Sequence, residues 1–395
     1  MIKKLISTVV SAAICATALS ADKLEISNDG LGDFLIAPMY VAKDNVCSKI
    51  TVFNTNETSS ILAKVTFRER ISSQEVDLPI FLSPADVWEG EVCETRNGVV
   101  LKSNDDSNHP VVKDVLSRGK NLAEHSRNAG HEGIDFTKGY VEIYPIAQFN
   151  EGSTAKVEKY LLVDRWDSLI KGNTNNPKLR KNGVDSSSLS GHVTFNTESD
   201  LETAVLPMLA FKGAHDKQVT GVGIDYSSDT SPRVLLGAQK KKKILKALQH
   251  RITSFTYDQE GRNQYINFTF PFTYSKWQNR TYKITVRDMS ENKDSKKEKV
   301  IIFSPAPKKQ NIKNTMKNEV VSISVEEILS KTNNPKMFKN GIIQIKDITN
   351  QSNIQLGEDQ RASYIAVNYK EVSVMEDRRL VENNAVGTIV YAPSK

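Results

Sequence analysis

Apolar residues recur at every second position through much of this chain, and a period of two is the repeat of a β-strand, whose successive side chains point to opposite faces. Ala63, Val65 and Phe67 alternate with Lys64, Thr66 and Arg68. That stripe predicts an apolar face turned inward and a charged face turned outward. Ile266, Phe268 and Phe270 alternate likewise with Tyr265, Asn267 and Thr269, and Tyr282, Ile284 and Val286 with Lys283, Thr285 and Arg287. Turn formers separate such runs, as in Asn54-Thr55-Asn56, Ser83-Pro84 and Asp258-Gln259-Glu260-Gly261. The expectation is an all-β chain of packed antiparallel sheets with minor helices.

Helical spacing is confined to three places. Residues 111–128 carry Val112, Val115, Leu116 and Leu122 at helical intervals, and residues 239–250 and 325–330 predict two further short helices. The first lies in a polar insertion, residues 96–139, between predicted strands at 87–93 and 140–144.

The N-terminus reads as a secretory signal peptide. Lys3 and Lys4 precede an apolar run from Leu5 to Leu19, and the small residues Ala18, Ser20 and Ala21 offer a cleavage site. The run is shorter than the ~20 residues that a membrane-spanning helix needs. Cleavage would remove Cys15 and leave Cys47 and Cys93. An even pair in an exported chain predicts one disulfide, the alternative being two separate buried thiols. The formal charge of +6 would fall to +4 on loss of Lys3 and Lys4, too mild a surplus to argue for nucleic acid.

At 395 residues the chain is long for one hydrophobic core. Residues 171–190 are rich in Asn, Ser, Gly and Lys, and residues 304–318 run from Ser304-Pro305-Ala306-Pro307 into further polar residues. These stretches divide the mature chain into a sandwich over 22–170, a linker over 171–190, a second sandwich over 191–305, a linker over 306–318 and a C-terminal β segment over 319–395 that packs on the second domain or forms a small third one. One internal echo stands out, Thr174 to Gly183 against Thr332 to Gly341, which match at eight of ten positions. Its Asn-Pro and Asn-Gly pairs predict a double turn leading into a strand. A second reading makes its Asn and Lys side chains a repeated binding loop.

Chemical signatures are sparse. The nucleophile motif G-x-S-x-G is absent, and Gly30-Leu31-Gly32 and Gly221-Val222-Gly223 lack the context of a phosphate loop. His125 and His131, near Glu124 and Glu132, do not stack on one helix face, and Asn104, Asp105, Asp106 and Asn108 do not follow a calcium-loop pattern. No catalytic residue, cofactor site or metal site is therefore assigned. The densest charge cluster is Lys240, Lys241, Lys242 and Lys243. On a helix these lysines would project into water while Ile244, Leu245 and Leu248 face a core; the functional alternative is contact with an anionic surface polymer or lipid headgroups. Trp88, Trp166, Trp277 and Tyr274 are the obvious aromatic candidates for a sugar platform, against the simpler reading of core residues.

Gly32-Asp-Phe-Leu-Ile-Ala-Pro-Met-Tyr40, Ile50-Thr-Val-Phe-Asn-Thr55 and Phe81-Leu-Ser-Pro-Ala-Asp-Val-Trp88 together resemble a group of exported bacterial cell-envelope β-proteins of unassigned function. Phe268-Thr-Phe-Pro-Phe272, Val286-Arg-Asp288 and Phe303-Ser-Pro305 are similar to the same group. The resemblance implies an envelope protein and carries no site residues. The strand rhythm also resembles immunoglobulin-like sandwiches, as in pilus chaperones and adhesins, and implies two or more such domains. Trp88 departs from the antibody pattern by lying only five residues before Cys93.

The leading expectation is an exported, non-enzymatic structural or interaction protein of the bacterial cell envelope, in the periplasm or at the cell surface. Its expected partners are copies of itself, other envelope proteins, glycans or anionic surface polymer, without nucleic acid and without a transmembrane segment after cleavage. The alternatives are a secreted carbohydrate-binding module or glycan-active enzyme, and a periplasmic chaperone.

Overall fold

The structure, a computed structural model, describes residues 24–70, 74–108, 110–124, 134–150, 187–197, 202–214, 232–248, 252–258, 263–272, 280–288, 296–303, 320–330, 339–347, 364–371, 374–376, 379–381 and 385–388. The signal-peptide stretch, His125, His131, Trp166, Tyr274, Trp277, the first copy of the echo and residues 306–318 lie outside them. Antiparallel strands dominate, as the alternation predicts.

Residues 24–214 supply two six-stranded sheets. Their strands in chain order are β1 (Glu25–Ile26), β2 (Phe34–Val41), β3 (Val46–Asn54), β4 (Ser59–Glu69), β5 (Glu75–Leu82) and β6 (Val87–Thr95). There follow β7 (Gly98–Lys102), α1 (Pro110–Arg118), β8 (Lys120–Asn121), β9 (Lys138–Asn150), β10 (Leu189–Thr197), β11 (Glu202–Pro207) and β12 (Leu209–Lys212). One sheet runs β1-β12-β2-β9-β4-β5 and the other β11-β10-β3-β6-β7-β8. Between them lies a dry core that takes Leu35, Ala37 and Met39 from β2, Ala63, Val65 and Phe67 from β4, Ile50 and Val52 from β3, and Trp88 and Val92 from β6. Burying side chains from two facing sheets is the arrangement of a β-sandwich.

Two expectations about this region need correction. Strands β10 to β12, expected to open a second sandwich from residue 191, instead extend the first pair of sheets: β10 pairs with β3 along its whole length, from Leu189 opposite Asn54 to Thr197 opposite Val46. Polar composition marks a surface excursion, and an excursion can return to the sheets it left. The helix expected over 111–128 is interrupted: its first part ends at Arg118, where Gly119 adopts a φ of 98°, residues 122–124 are helical again, and 125–128 lie outside the described residues. That left-handed conformation is the usual stop for a helix, and glycine enters it without a Cβ penalty.

The disulfide forms as expected, joining Cys47 and Cys93. Ser48 is paired with Val92 across β3 and β6, and the next position along is Cys47 against Cys93, with Cα atoms 4.5 Å apart. The bond thus ties neighbouring strands of one sheet, whereas the antibody-type bridge joins the two sheets.

Residues 252–388 form two four-stranded sheets. One runs β13-β18-β15-β16 and the other β17-β14-β19-β22. The first takes β13 (Ile252–Tyr257), β15 (Arg280–Asp288), β16 (Lys296–Phe303) and β18 (Gly341–Asp347); the second takes β14 (Gln264–Thr269), β17 (Val320–Ser324), β19 (Ile365–Glu371) and β22 (Ala385–Thr388). A small hairpin of β20 (Val374–Glu376) and β21 (Arg379–Val381) precedes β22. Ile266, Phe268, Ile284, Val286, Ile343 and Ile345 meet in the core between the sheets, joined by Ile328 and Leu329 of a short helix at Val325–Ser330. That helix lies where the sequence predicts it; counting along the chain it is α3, and α2 is Pro232–Ala247.

The faces predicted to meet water are the main surprise. Lys64, Thr66 and Arg68 on β4 and Asn267 and Thr269 on β14 are all buried. Thr269 donates its hydroxyl to the Pro38 carbonyl of β2 at 2.5 Å, so the polar face of β14 lies against the first pair of sheets. Lys138 of β9 reaches the same side, donating to Ser322 Oγ at 3.1 Å and to the Tyr369 hydroxyl at 2.9 Å. Part of the outer face of the first sheet carries a second apolar cluster, in which Leu236, Ile244 and Leu248 of α2 and its C-terminal flank meet Phe34, Ile36 and Phe211. Period two separates two faces; it does not say which of them stays wet.

Candidate binding cleft

Four strand ends of the second pair of sheets converge on one cleft of about 460 Å3. Strand β13 leaves it at Thr256, Tyr257 and Asp258, β14 enters at Gln264, β18 enters after Asn340, and β19 leaves at Asn368, Tyr369 and Lys370. The volume lies within the roughly 300–1,000 Å3 typical of small-ligand sites.

Side-chain amides organise the floor. Gln264 Nε2 donates to the Thr256 carbonyl at 2.7 Å and to Asn368 Oδ1 at 2.9 Å, and Asn368 Nδ2 donates to the same carbonyl at 3.0 Å. The Thr256 carbonyl thus receives two amides from the opposite sheet, which clips the two sheets together and occupies the backbone there. Gln264 is 7% exposed, and its Oε1 has no hydrogen-bond partner among the described residues.

Two tyrosines and one ion pair complete the lining. The Tyr369 ring stacks on Tyr265 with centroids 5.3 Å apart, while Lys138 binds its hydroxyl and lies 5.1 Å from its ring centroid, so its position is fixed on two sides. Tyr257 is buried beside Gly341, where an added Cβ would come within 2.6 Å of the Tyr257 hydroxyl and 2.3 Å of the Arg287 carbonyl. Only glycine permits that approach. At the rim Lys370 Nζ lies 3.0 Å from Asp258 Oδ1, so the charges there neutralise each other.

Of the second copy of the echo, residues 332–338 lie outside the described residues; Lys339 and Asn340 form a bend that leads into β18 at Gly341, and Asn340 also lines the cleft.

Other singled-out residues lie elsewhere. Lys240 to Lys243 do sit on a helix, α2, with Ile244 and Leu248 buried beneath them and Leu245 half-buried. Lys242 and Lys243 are exposed, whereas Lys240 donates to the Gly213 carbonyl at 2.6 Å and ties the helix to the end of β12. Trp88 is a core residue and no sugar platform: it is fully buried and donates Nε1–H to Asn108 Oδ1 at 2.8 Å. The oxygen-rich loop at 104–108 serves the same packing. Asp105 accepts from the Glu89 and Ser107 amides, and Asn108 donates to both oxygens of Ser103. Glu91 comes near Cys47 and Cys93, but the two sulfurs are bonded to each other.

The buried row on the first sheet is the other concentration of charge. Arg68 stands between Glu75 and Glu142, with N···O distances of 2.5 and 2.7 Å, and Lys64 is paired with Asp77 at 2.8 Å. Each pair links neighbouring strands, so the row binds β5, β4 and β9 side by side. No helix among the described residues is long and apolar enough to cross a membrane. The chain matches no known family model and no curated protein sequence.

Proposed function

We propose that this chain is an exported, non-enzymatic interaction protein of the bacterial cell envelope, built from immunoglobulin-like sandwich units and acting in surface assembly or adhesion. The observation that carries the reading is the Cys47–Cys93 bond, a structural disulfide of the kind that persists in oxidising compartments. It agrees with the export signal read in residues 1–21 and with the resemblance to envelope β-proteins.

A terminal strand supports association. Among the described residues β16 ends its sheet, and its sequence passes from Lys296-Lys297-Glu298-Lys299 to Val300-Ile301-Ile302-Phe303. Charged residues guard an edge against pairing, and a β-branched apolar stretch invites a partner strand.

Cell fractionation combined with thiol alkylation tests the address. The expected result is mature protein in the envelope fraction with neither cysteine alkylated before reduction; cytosolic protein with two reactive thiols would overturn it. Light scattering then tests association. A strictly monomeric protein, unchanged by Ile301→Pro, would remove the assembly role.

A further inference from the structure

We propose that the outer face of the sheet β13-β18-β15-β16 docks on an anionic lipid bilayer. The small overall charge of the chain conceals a division. Residues 22–214 hold 21 Lys and Arg against 28 Asp and Glu, whereas residues 215–395 hold 30 against 19. The near-balanced total is thus an acidic part joined to a basic one, the pattern of a molecule that meets a charged surface with one end.

The strand register concentrates that surplus. Ile284 and Val286 of β15 and Ile343 and Ile345 of β18 lie in the core, so the alternate positions, Lys283, Thr285 and Arg287 with Gln344 and Lys346, belong to the opposite face. Lys283 stands opposite Lys346 across β15 and β18, and Arg287 opposite Lys296 across β15 and β16. Like charges directly opposite destabilise a sheet, and these two pairs share a face on which Glu298 is the one acidic strand position. Arg287 is exposed and has no acidic partner among the described residues. An anionic surface would relieve that repulsion.

Geometry favours a plane over a single polymer strand. Four strands span about 14 Å, and the cations sit at both ends of β15, about 13 Å apart along it, which is a broad patch and not a groove. No aromatic residue occupies a strand position on that face, so it gives sugars and bases nothing to stack on. The companion sheet packs on the first pair of sheets, through Thr269 against Pro38 and Tyr369 against Lys138, which turns the basic face away from the acidic part.

The inference depends neither on address nor on assembly, since a monomer from any compartment that binds vesicles would keep it. The test is sedimentation of the full mature chain with vesicles of equimolar phosphatidylglycerol and phosphatidylcholine, with pure phosphatidylcholine as control. The anionic vesicles should bind and the neutral ones should not, and high salt should release the protein. Arg287→Ala should weaken binding about fivefold and its combination with Lys283→Ala about 25-fold, at about 1 kcal/mol for each cation near a membrane surface. The exchange Lys283→Arg with Arg287→Lys should keep binding, as should Lys242→Ala with Lys243→Ala on α2, and each variant should melt as the parent does. Arg287→Ala alone carries the test if the double variant fails to fold. No binding to anionic vesicles, equal binding to neutral ones, indifference to Arg287→Ala, an equal loss from the α2 replacements, or tighter binding to inorganic polyphosphate at equal phosphate would overturn the proposal.

Discussion

Arg68 donates its Nε–H to Glu142 Oε2 across 2.7 Å, and the two side chains are 2% and 0% exposed. They sit on the face of the sheet turned away from the main core, with Arg68 also engaging Glu75. Two charges taken out of water are held there by each other. Removing Arg68 strands Glu142 in a medium that cannot solvate it, so Arg68→Ala should cost about 3–5 kcal/mol in urea unfolding. The double replacement Arg68→Met with Glu142→Leu should recover most of that loss, because the isolated charge, and not the lost pair, is the expensive element. A double variant no more stable than Arg68→Ala would contradict this.

The disulfide closes a loop with a sequence separation of 46. In the chain-entropy account such a closure is worth about 4 kcal/mol. Replacing Cys47 and Cys93 together by Ala should lower stability by that order and abolish the effect of reductant on the thermal midpoint. A parent protein whose melting is indifferent to reductant would refute the bond's contribution.

Tyr40 places its ring edge-on to Phe67, 5.8 Å between centroids, while its buried hydroxyl has no partner among the described residues. Tyr40→Phe keeps the ring contact and deletes the unmatched group, so it should stabilise by about 1 kcal/mol. Burial, aided by the nearby carboxylates of Glu69 and Asp135, raises the Tyr40 phenol well above its ordinary value. A raised folded value means stability that is full below the ordinary phenol pKa and lost as pH climbs past it. Tyr40→Phe should therefore also flatten the alkaline limb of the stability profile.

Asp135 runs in the opposite sense. Burial pulls its carboxyl upward, but hydrogen bonds from the Thr137 side chain and backbone and from Arg70 outweigh burial and hold it below the ordinary aspartate value. Its stabilisation is then present above that ordinary value and lost as pH falls through the lower folded one. Asp135→Asn should lower the urea midpoint at neutral pH, and the gap from the parent should close on acidification. A gap that widens in acid would exclude this assignment.

Strand identity was legible because alternation needs only neighbours: Ile266, Phe268, Ile284 and Val286 fall in the core where period two puts them. Cysteine parity was equally local. The burial of Lys64, Thr66 and Arg68 was not, since it depends on what packs against the far side of β4, and the partners Glu75, Asp77 and Glu142 come from two other strands. Strands β10 to β12 fall on the other side of the expected boundary because composition records where a chain leaves a sheet and is silent on where it returns. The cleft draws on four segments between residues 256 and 370, none with a motif of its own. Its one local trace is Asn340-Gly341 in the echo, where glycine serves the close approach of Tyr257 and not a left-handed turn.

Strands β4 and β5 belong to one sheet, yet they lie in sequence between Cys47 and Cys93, which are bonded within the other. Pulled from its two ends, the chain would therefore carry tension through the sulfur bridge and leave both strands slack inside a closed ring. Roughly 150 Å of contour would stay hidden from an applied force until the bridge was reduced. A protein anchored at one end and tugged at the other would in this way keep two strands of a six-stranded sheet out of the line of load.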